Sequence, residues 1–177
     1  MPHLYPIFLR LAGRPVTIIG GGRVALRKAR GLAAAGAVVT VVAPEFAKGL
    51  ARLPVGRVAE PWRVAHLRGA ALVFAATDDP AVNRRVAASA RARGIPACVV
   101  DNADACDFHV PAVSRRGDLA VAISTGGTSP SLAARLRKQV DRLLTRQASA
   151  REKPARASRA AALGRRRQST SRPPPLH

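Results

Sequence analysis

Aromatic and acidic residues are scarce in this sequence. One tryptophan, one tyrosine and four phenylalanines in 177 residues leave little for bases to stack on, which argues against a single-stranded nucleic-acid platform. Ten acidic residues stand against 30 lysines and arginines, a formal net charge of +20. No apolar run reaches the roughly 18 to 20 residues needed to cross a bilayer, and Met1 to Gly13 is broken by Arg10 rather than shaped like a signal peptide. Cys98 and Cys106 are the two cysteines. They lack metal-ligand spacing and make no disulfide framework, so they are expected as buried small hydrophobes in a reducing cytoplasm. What remains is a soluble cytoplasmic protein, with no membrane span, built on one packed domain of about 100 to 150 residues with an appendage.

The most informative positive feature is Gly20-Gly21-Gly22-Arg23-Val24-Ala25. Val16 to Ile19 reads as a buried parallel strand, and Val24, Ala25, Leu26, Ala29, Leu32 and Ala33 form the apolar face of a following helix. The glycines fall at the turn between them. Gly20 permits a tight turn, Gly22 lets backbone approach a phosphate without a Cβ in the way, and Ala25 allows close helix-to-strand packing. Unpaired N–H groups at the helix start then attract the anion. Gly36 stops the helix and Ala37 to Val42 supplies a second strand, completing a βαβ unit of about 30 residues.

Further strands are expected at Ala71 to Ala76 and Ala97 to Val100, with a helix between them that opens on Asp79 as N-cap and Pro80 and stops at Gly94. Glu45 to Gly56 is read as irregular, and Trp62 to Leu67 as a short helical turn. Strands alternating with helices define an α/β fold, a Rossmann-type doubly wound parallel sheet whose ligands sit at the carboxyl ends of the strands. Three loops then converge: Gly20 to Val24, Ala76 to Asp79 with Thr77 and Asp78, and Asp101 with its neighbours.

Beyond Phe108 the pattern changes. Val110 to Val113 and Leu119 to Ile123 flank Arg115-Arg116-Gly117-Asp118 as a β-hairpin. The stretch Ser124-Thr125-Gly126-Gly127-Thr128-Ser129-Pro130 then opens a helix with Leu132, Leu136, Val140, Leu143 and Leu144 along its apolar side. This divides the chain into residues 1–107, 108–147 and a basic tail 148–177 without periodic apolar residues, read as disordered. Asp104, Asp107 and His109 are a loose cluster whose spacing matches no dedicated metal site. The basic surface, present in both the folded part and the tail, suits a polyanionic small molecule.

Taken together and in order, Tyr5-Pro6-Ile7-Phe8-Leu9, the glycine turn with Lys28-Ala29, Ala75-Ala76-Thr77-Asp78-Asp79, Val99-Val100-Asp101 and the Ser124 to Pro130 stretch resemble the precorrin-2 dehydrogenase and sirohydrochlorin ferrochelatase family of sirohaem synthesis. The resemblance runs from about Leu4 to Leu144. It implies NAD-dependent oxidation of precorrin-2 to sirohydrochlorin, with ferrous iron (Fe2+) insertion in bifunctional members, and a homodimer in which the hairpin and helix form the dimerisation module. It places Arg23 and Val24 on the cofactor, and Pro44 and Glu45 beside the adenosine ribose. A carboxylate at the end of the second strand would bind both ribose hydroxyls and repel a 2′-phosphate, so NAD is expected over NADP, although Ala43-Pro44 intervene.

Asp101 matches the family's essential carboxylate; its role would be to accept a proton or orient the tetrapyrrole, against the plainer reading of a loop cap. Thr125, Gly126, Gly127, Thr128 and Ser129 either hold substrate carboxylates on backbone N–H groups or only cap the helix. Two other function classes remain open: a non-catalytic NAD-binding sensor with a nucleic-acid-contacting tail, and a degenerate paralogue.

Overall fold

The computed structural model describes residues 4–100 and 102–146, so Asp101 and the tail from Gln147 lie outside the described residues. The chain divides into two compact units, Met1–Val110 and Pro111–His177. In the first, five parallel strands, β1 (Pro15–Ile19), β2 (Val38–Val42), β3 (Gly56–Val58), β4 (Leu72–Ala75) and β5 (Ala97–Val99), lie in the order β3-β2-β1-β4-β5. Helices α1 (Arg23–Ala34) and α2 (Pro80–Arg91) provide the crossovers from β1 to β2 and from β4 to β5.

Moving outward from β1 in one direction and from β4 in the other with the same crossover hand puts the two helices on opposite faces. One core cluster accordingly joins Val16, Ile18, Val39, Val41, Phe74 and Cys98 to Ala25 and Ala29 of α1. The other joins Ile19, Val42, Val73, Ala75, Ala97 and Val99 to Val86, Ala87 and Ala90 of α2. Burial on both faces is why β1, β2, β4 and β5 are near-continuous apolar runs rather than alternating ones. Small residues at the helix contacts, Ala25, Ala29 and Ala90, all fully buried, bring each helix close to the sheet. A larger side chain there would overpack at about 1–3 kcal/mol.

The expected strands and helices are present. One strand was not anticipated: β3, three residues at the end of the segment read as irregular and just beyond it, pairs with β2 through Thr40↔Gly56, Val41↔Arg57 and Val42↔Val58. The turn expected before β4 is a 3₁₀ turn at Val64–Leu67. It is set by His66, whose Nδ1 accepts the Arg63 N–H at 2.9 Å while Nε2 meets Glu60 Oε1 at 2.7 Å. Hydrogen bonds from Arg63 and His66 hold the Glu60 carboxyl below the usual carboxylate range.

Among the described residues no strand pairs with the outer edge of β5, and unpaired edge groups invite association. Here side chains and one backbone link cover it. The Ala97 N–H donates to Asp107 Oδ2 at 2.8 Å, the Val99 N–H to Cys106 Sγ at 3.2 Å, and the Asp107 N–H to Ala97 O at 2.9 Å. Asp107 Oδ1 meanwhile accepts from Arg91 Nε of α2 at 2.8 Å.

The second unit contains the antiparallel hairpin β6 (Ala112–Arg116) and β7 (Leu119–Ile123), followed by a helix, α3, over residues 130–146. Arg115 and Arg116, expected in the turn, belong to β6, since Arg116 pairs with Leu119 across Gly117-Asp118. Gly117 at φ 56 supplies the left-handed residue that so short a turn needs. On α3 the expected apolar side is only partly covered: Leu136 and Leu143 are exposed, and Ala133 is buried instead. The hairpin is tied to α3 by polar groups. Buried Ser114 donates to Asp141, and Arg137 Nη1 holds the other Asp141 oxygen at 2.9 Å.

Replacing Asp107 by alanine leaves the Ala97 N–H without an acceptor and Arg91 without its carboxylate. A destabilisation of about 1–3 kcal/mol, read from the urea midpoint at unchanged m-value, is the expected outcome.

Candidate functional site

The carboxyl ends of β1, β2 and β4 meet at the point where the strand order turns back on itself, between β1 and β4. Gly20 leaves β1 at φ 119, with its N–H bonded to Val42 O at 2.9 Å. A Cβ there would overlap the Ala76 carbonyl that follows β4. Gly21 is just as constrained, because a Cβ would overlap the carbonyl of Glu45, and the Ala47 N–H closes the contact by donating to Gly21 O at 2.8 Å. The segment after β2 is therefore folded back onto the glycine turn. Pro44 and Glu45, both exposed, stand beside that turn despite the two residues separating Glu45 from the strand end.

Gly22 differs from its two neighbours. It is the N-cap of α1, at φ −76 and ψ −169, and a Cβ would meet nothing within 4 Å. No side chain caps the helix, and its first turn holds no acidic residue. The N–H groups at this end, carrying the positive end of the helix dipole, therefore have no carboxylate beside them in the helix's own first turn. Arg23 is exposed, Val24 half-buried and Ala25 fully buried against the sheet.

The start of α2 has the opposite arrangement. Asp79 Oδ1 accepts from the N–H groups of Ala81 at 2.7 Å and Val82 at 3.3 Å, so this helix start already holds an anion of its own. Thr77 is fixed from beneath by Asn83: the Thr77 N–H donates to Asn83 Oδ1 at 3.1 Å, and Asn83 Nδ2 donates to Thr77 O at 2.9 Å. The Thr77 hydroxyl also reaches Asn83 Oδ1, at 2.7 Å. Asp78 is exposed. Sequence reasoning missed both Gly21 and Asn83. The legible signal for the second was an asparagine on the otherwise apolar Val82 to Val86 face of a helix.

Gly20, Gly22, Arg23, Val24, Ala25, Pro44, Glu45, Thr77 and Asp78 are thus brought to one end of the sheet. Asp101, by sequence two residues past β5, lies outside the described residues. Asp107 is committed to Arg91 and Ala97, Asp104 is exposed in the 3₁₀ turn Ala103–Ala105, and His109 Nε2 lies 3.3 Å from Ala103 O. Among the described residues no three His, Cys, Asp or Glu side chains are grouped to hold a metal ion.

In the second unit, Thr125 to Ser129 form a turn bonded largely to itself. Thr128 Oγ1 donates to Thr125 O at 2.6 Å, the Ser129 N–H donates to Thr125 Oγ1 at 3.2 Å, and Ser129 Oγ caps α3 through the Leu132 N–H at 3.4 Å. Gly126 and Gly127 have φ 64 and 88, values that suit glycine.

A concavity of about 910 Å³ opens at the other end of the first unit's sheet, lined by Arg14, Ala71, Leu72, Arg93, Ile95 and Pro96 among others. It is not the dinucleotide site: these residues lie at the amino ends of β1, β4 and β5, whereas ligands of open parallel sheets sit beyond the carboxyl ends.

An α/β sheet with a glycine turn and an open helix start at its switch point defines a dinucleotide-binding protein. The sequence model of a family described as "Putative NAD(P)-binding" matches residues 7–112, and that of "Sirohaem biosynthesis protein central" matches residues 116–143. The chain belongs to the first of these, the family of putative NAD(P)-binding proteins. It is 48% identical over 143 residues to a siroheme synthase of Methylobacillus flagellatus, a match covering 78% of this chain and 31% of that protein. With the siroheme synthase of Chromobacterium violaceum the identity is 49% over 146 residues, covering 80% and 31%. This chain therefore spans just under a third of the length of these curated relatives. Among solved structures, that of SirC, precorrin-2 dehydrogenase, superposes with a TM-score of 0.66 at 29% identity, covering 77% of this chain and 69% of that one.

The three glycines separate packing from ligand binding. Gly22→Ala is expected to keep the wild-type urea midpoint to within about 0.5 kcal/mol while weakening NAD binding on the order of tenfold, or about 1.4 kcal/mol, by calorimetry. Gly21→Ala should lower the midpoint itself.

Proposed function

We propose that this chain is an NAD-dependent precorrin-2 dehydrogenase, which oxidises precorrin-2 to sirohydrochlorin in sirohaem biosynthesis. The observation that carries the reading is the joint one: a glycine turn and an uncapped α1 at the switch point, in a fold shared with a precorrin-2 dehydrogenase. NAD, when bound, accepts the hydride removed from a substrate carbon.

The N–H groups of Gly22, Arg23 and Val24 hold the cofactor's pyrophosphate, and Glu45 beside the turn takes the adenosine ribose hydroxyls and disfavours a 2′-phosphate. Thr77 and Asp78, on a loop clamped by Asn83, border the same crevice. Asp101 accepts the proton that the macrocycle loses as the hydride departs, or holds the tetrapyrrole in register. The N–H groups of Thr125 to Ser129 receive substrate carboxylates, and the excess of 30 basic over 10 acidic residues raises the local concentration of a polycarboxylate. Ferrous iron enters this reading only as a substrate of a second reaction. With Asp107 tied to Arg91, the residues of the first unit offer that reaction less than they offer the oxidation.

Homodimer formation belongs to the same proposal. Leu119, Leu136 and Leu143 of the second unit are 51%, 37% and 56% exposed, large apolar side chains of the kind that an interface covers. Light scattering is expected to return twice the chain mass, with a shift toward the monomer in Leu143→Arg.

The decisive assay supplies enzymatically generated precorrin-2 and NAD and follows NADH and the sirohydrochlorin spectrum. Asp101→Ala should lose turnover by about a hundredfold or more, the scale of an absent general base, while retaining NAD affinity. Retained turnover would remove Asp101 from the mechanism, and NAD binding without turnover in the wild type would overturn the dehydrogenase reading.

A further inference from the structure

The two cysteines, eight positions apart in sequence, are adjacent in space. Cys98 lies on β5, 6% exposed, in the α1-side core. Cys106 follows the Ala103–Ala105 turn and covers the edge of that strand. Their sulfurs are 3.7 Å apart, and both are free thiols. Cys106 is half-buried, so a small polar reagent can reach it, whereas Cys98 is buried.

The surroundings of Cys106 favour a reactive sulfur. Its Sγ accepts the Val99 N–H at 3.2 Å, a contact that favours the thiolate, and in the neutral form its S–H can donate to Val99 O at 3.1 Å or Asn102 O at 3.2 Å. The Cys98 thiol, the Val99 N–H and the electrostatic influence of His109 and Lys28 together hold the Cys106 thiol down to about 6, despite partial burial. The same contact and burial push Cys98 up. A partly exposed thiolate beside a buried thiol is the pairing of an attacking and a resolving cysteine.

We infer that Cys98 and Cys106 form a reversible dithiol–disulfide site that takes oxidants of the hydroperoxide class. The Cys106 thiolate attacks a peroxide oxygen, the O–O bond breaks, and the departing hydroxide takes up a proton to become water, leaving a sulfenic acid. The Cys98 thiol then attacks that sulfur: an S–S bond forms, the S–O bond breaks, and the oxygen leaves as water carrying the Cys98 proton. In sum two thiols are oxidised, one hydrogen peroxide is reduced, and two waters are produced. The bond would join β5 to the segment covering its edge, and close the ends of the 98–106 loop in which Asp101 lies by sequence. A cytosolic disulfide of this kind is transient and responsive rather than structural.

The inference does not rest on the dehydrogenase reading, and its test uses neither NAD nor precorrin-2. The full chain is treated with a small excess of hydrogen peroxide, denatured, alkylated with iodoacetamide and weighed. The expected result is a mass lower by two hydrogens with no alkyl group taken up, and two alkyl groups regained after dithiothreitol. Cys98→Ala, a small buried replacement, should stop at a sulfenic acid on Cys106 that dimedone traps. Cys106→Ala should leave Cys98 reduced under the same native treatment. Circular dichroism and the urea midpoint show that each variant is folded. Full alkylation of both thiols in peroxide-treated wild type would overturn the inference. So would accumulation of a dimedone-trappable Cys106 in the wild type to the extent seen in Cys98→Ala.

Discussion

The approach of the Gly20 backbone to the Ala76 carbonyl fixes the architecture at the switch point. Two adjacent parallel strands, β1 and β4, release their chains at the same level of the sheet, and the chains must leave toward opposite faces to reach α1 and α2. A Cβ on Gly20 would occupy the space of the Ala76 oxygen, and its φ of 119 is costly for other residues. The same turn holds the third loop, because Gly21 is packed under Glu45. Removing either approach would separate the loops after β1, β2 and β4, and with them every dinucleotide contact proposed here.

That constraint explains which parts of the molecule were legible in the sequence. Strands buried on both faces must be continuous apolar runs, so β1, β2, β4 and β5 announced themselves, as did α2 through Asp79 and Pro80. β3 did not, since three residues at a sheet edge, with Gly56 and Arg57 exposed, need no apolar signature and exist because β2 offers them a ladder. Gly21 and the edge cover of β5 were illegible for a related reason, and Asn83 showed only as a polar residue on an apolar helix face. Each answers a backbone group brought close by tertiary folding, and the spacing of apolar residues carries no record of such groups. The site was read through its glycines and its family resemblance, while the residues that keep its loops in place had to be seen.

The second unit follows another rule. It has few residues with which to bury apolar surface, and among its described residues only Ala133 and Ser114 are buried. Its hairpin is joined to α3 by Ser114, Asp141 and Arg137, and by Arg116 Nη1 donating to Thr145 Oγ1 at 3.1 Å. Such a network resists loosening, because losing one partner leaves the others unsatisfied. It also leaves Leu119, Leu136 and Leu143 exposed, which is why the helix pattern that predicted a buried stripe over-counted the core: an apolar stripe shows which face is to be covered, but not whether the covering surface belongs to the same unit.

A run of three glycines at a strand-to-helix turn is usually taken as one signal, but here it carries two. Gly20 and Gly21 are demanded by the protein's own backbone, and would be demanded in a fold of this shape that bound nothing. Gly22 is not: a Cβ there meets open space, and its dihedrals are open to any residue. A helix start left without a cap forgoes on the order of 1 kcal/mol that serine, threonine or aspartate would supply, and α2, with Asp79, shows that this chain caps helices elsewhere. Packing gives no reason for that omission at α1, whereas an anion bound from outside does, since a phosphate needs the same N–H groups and the same space that a capping side chain would fill. The case for a dinucleotide therefore rests less on the glycine count than on the one glycine the protein does not need for itself.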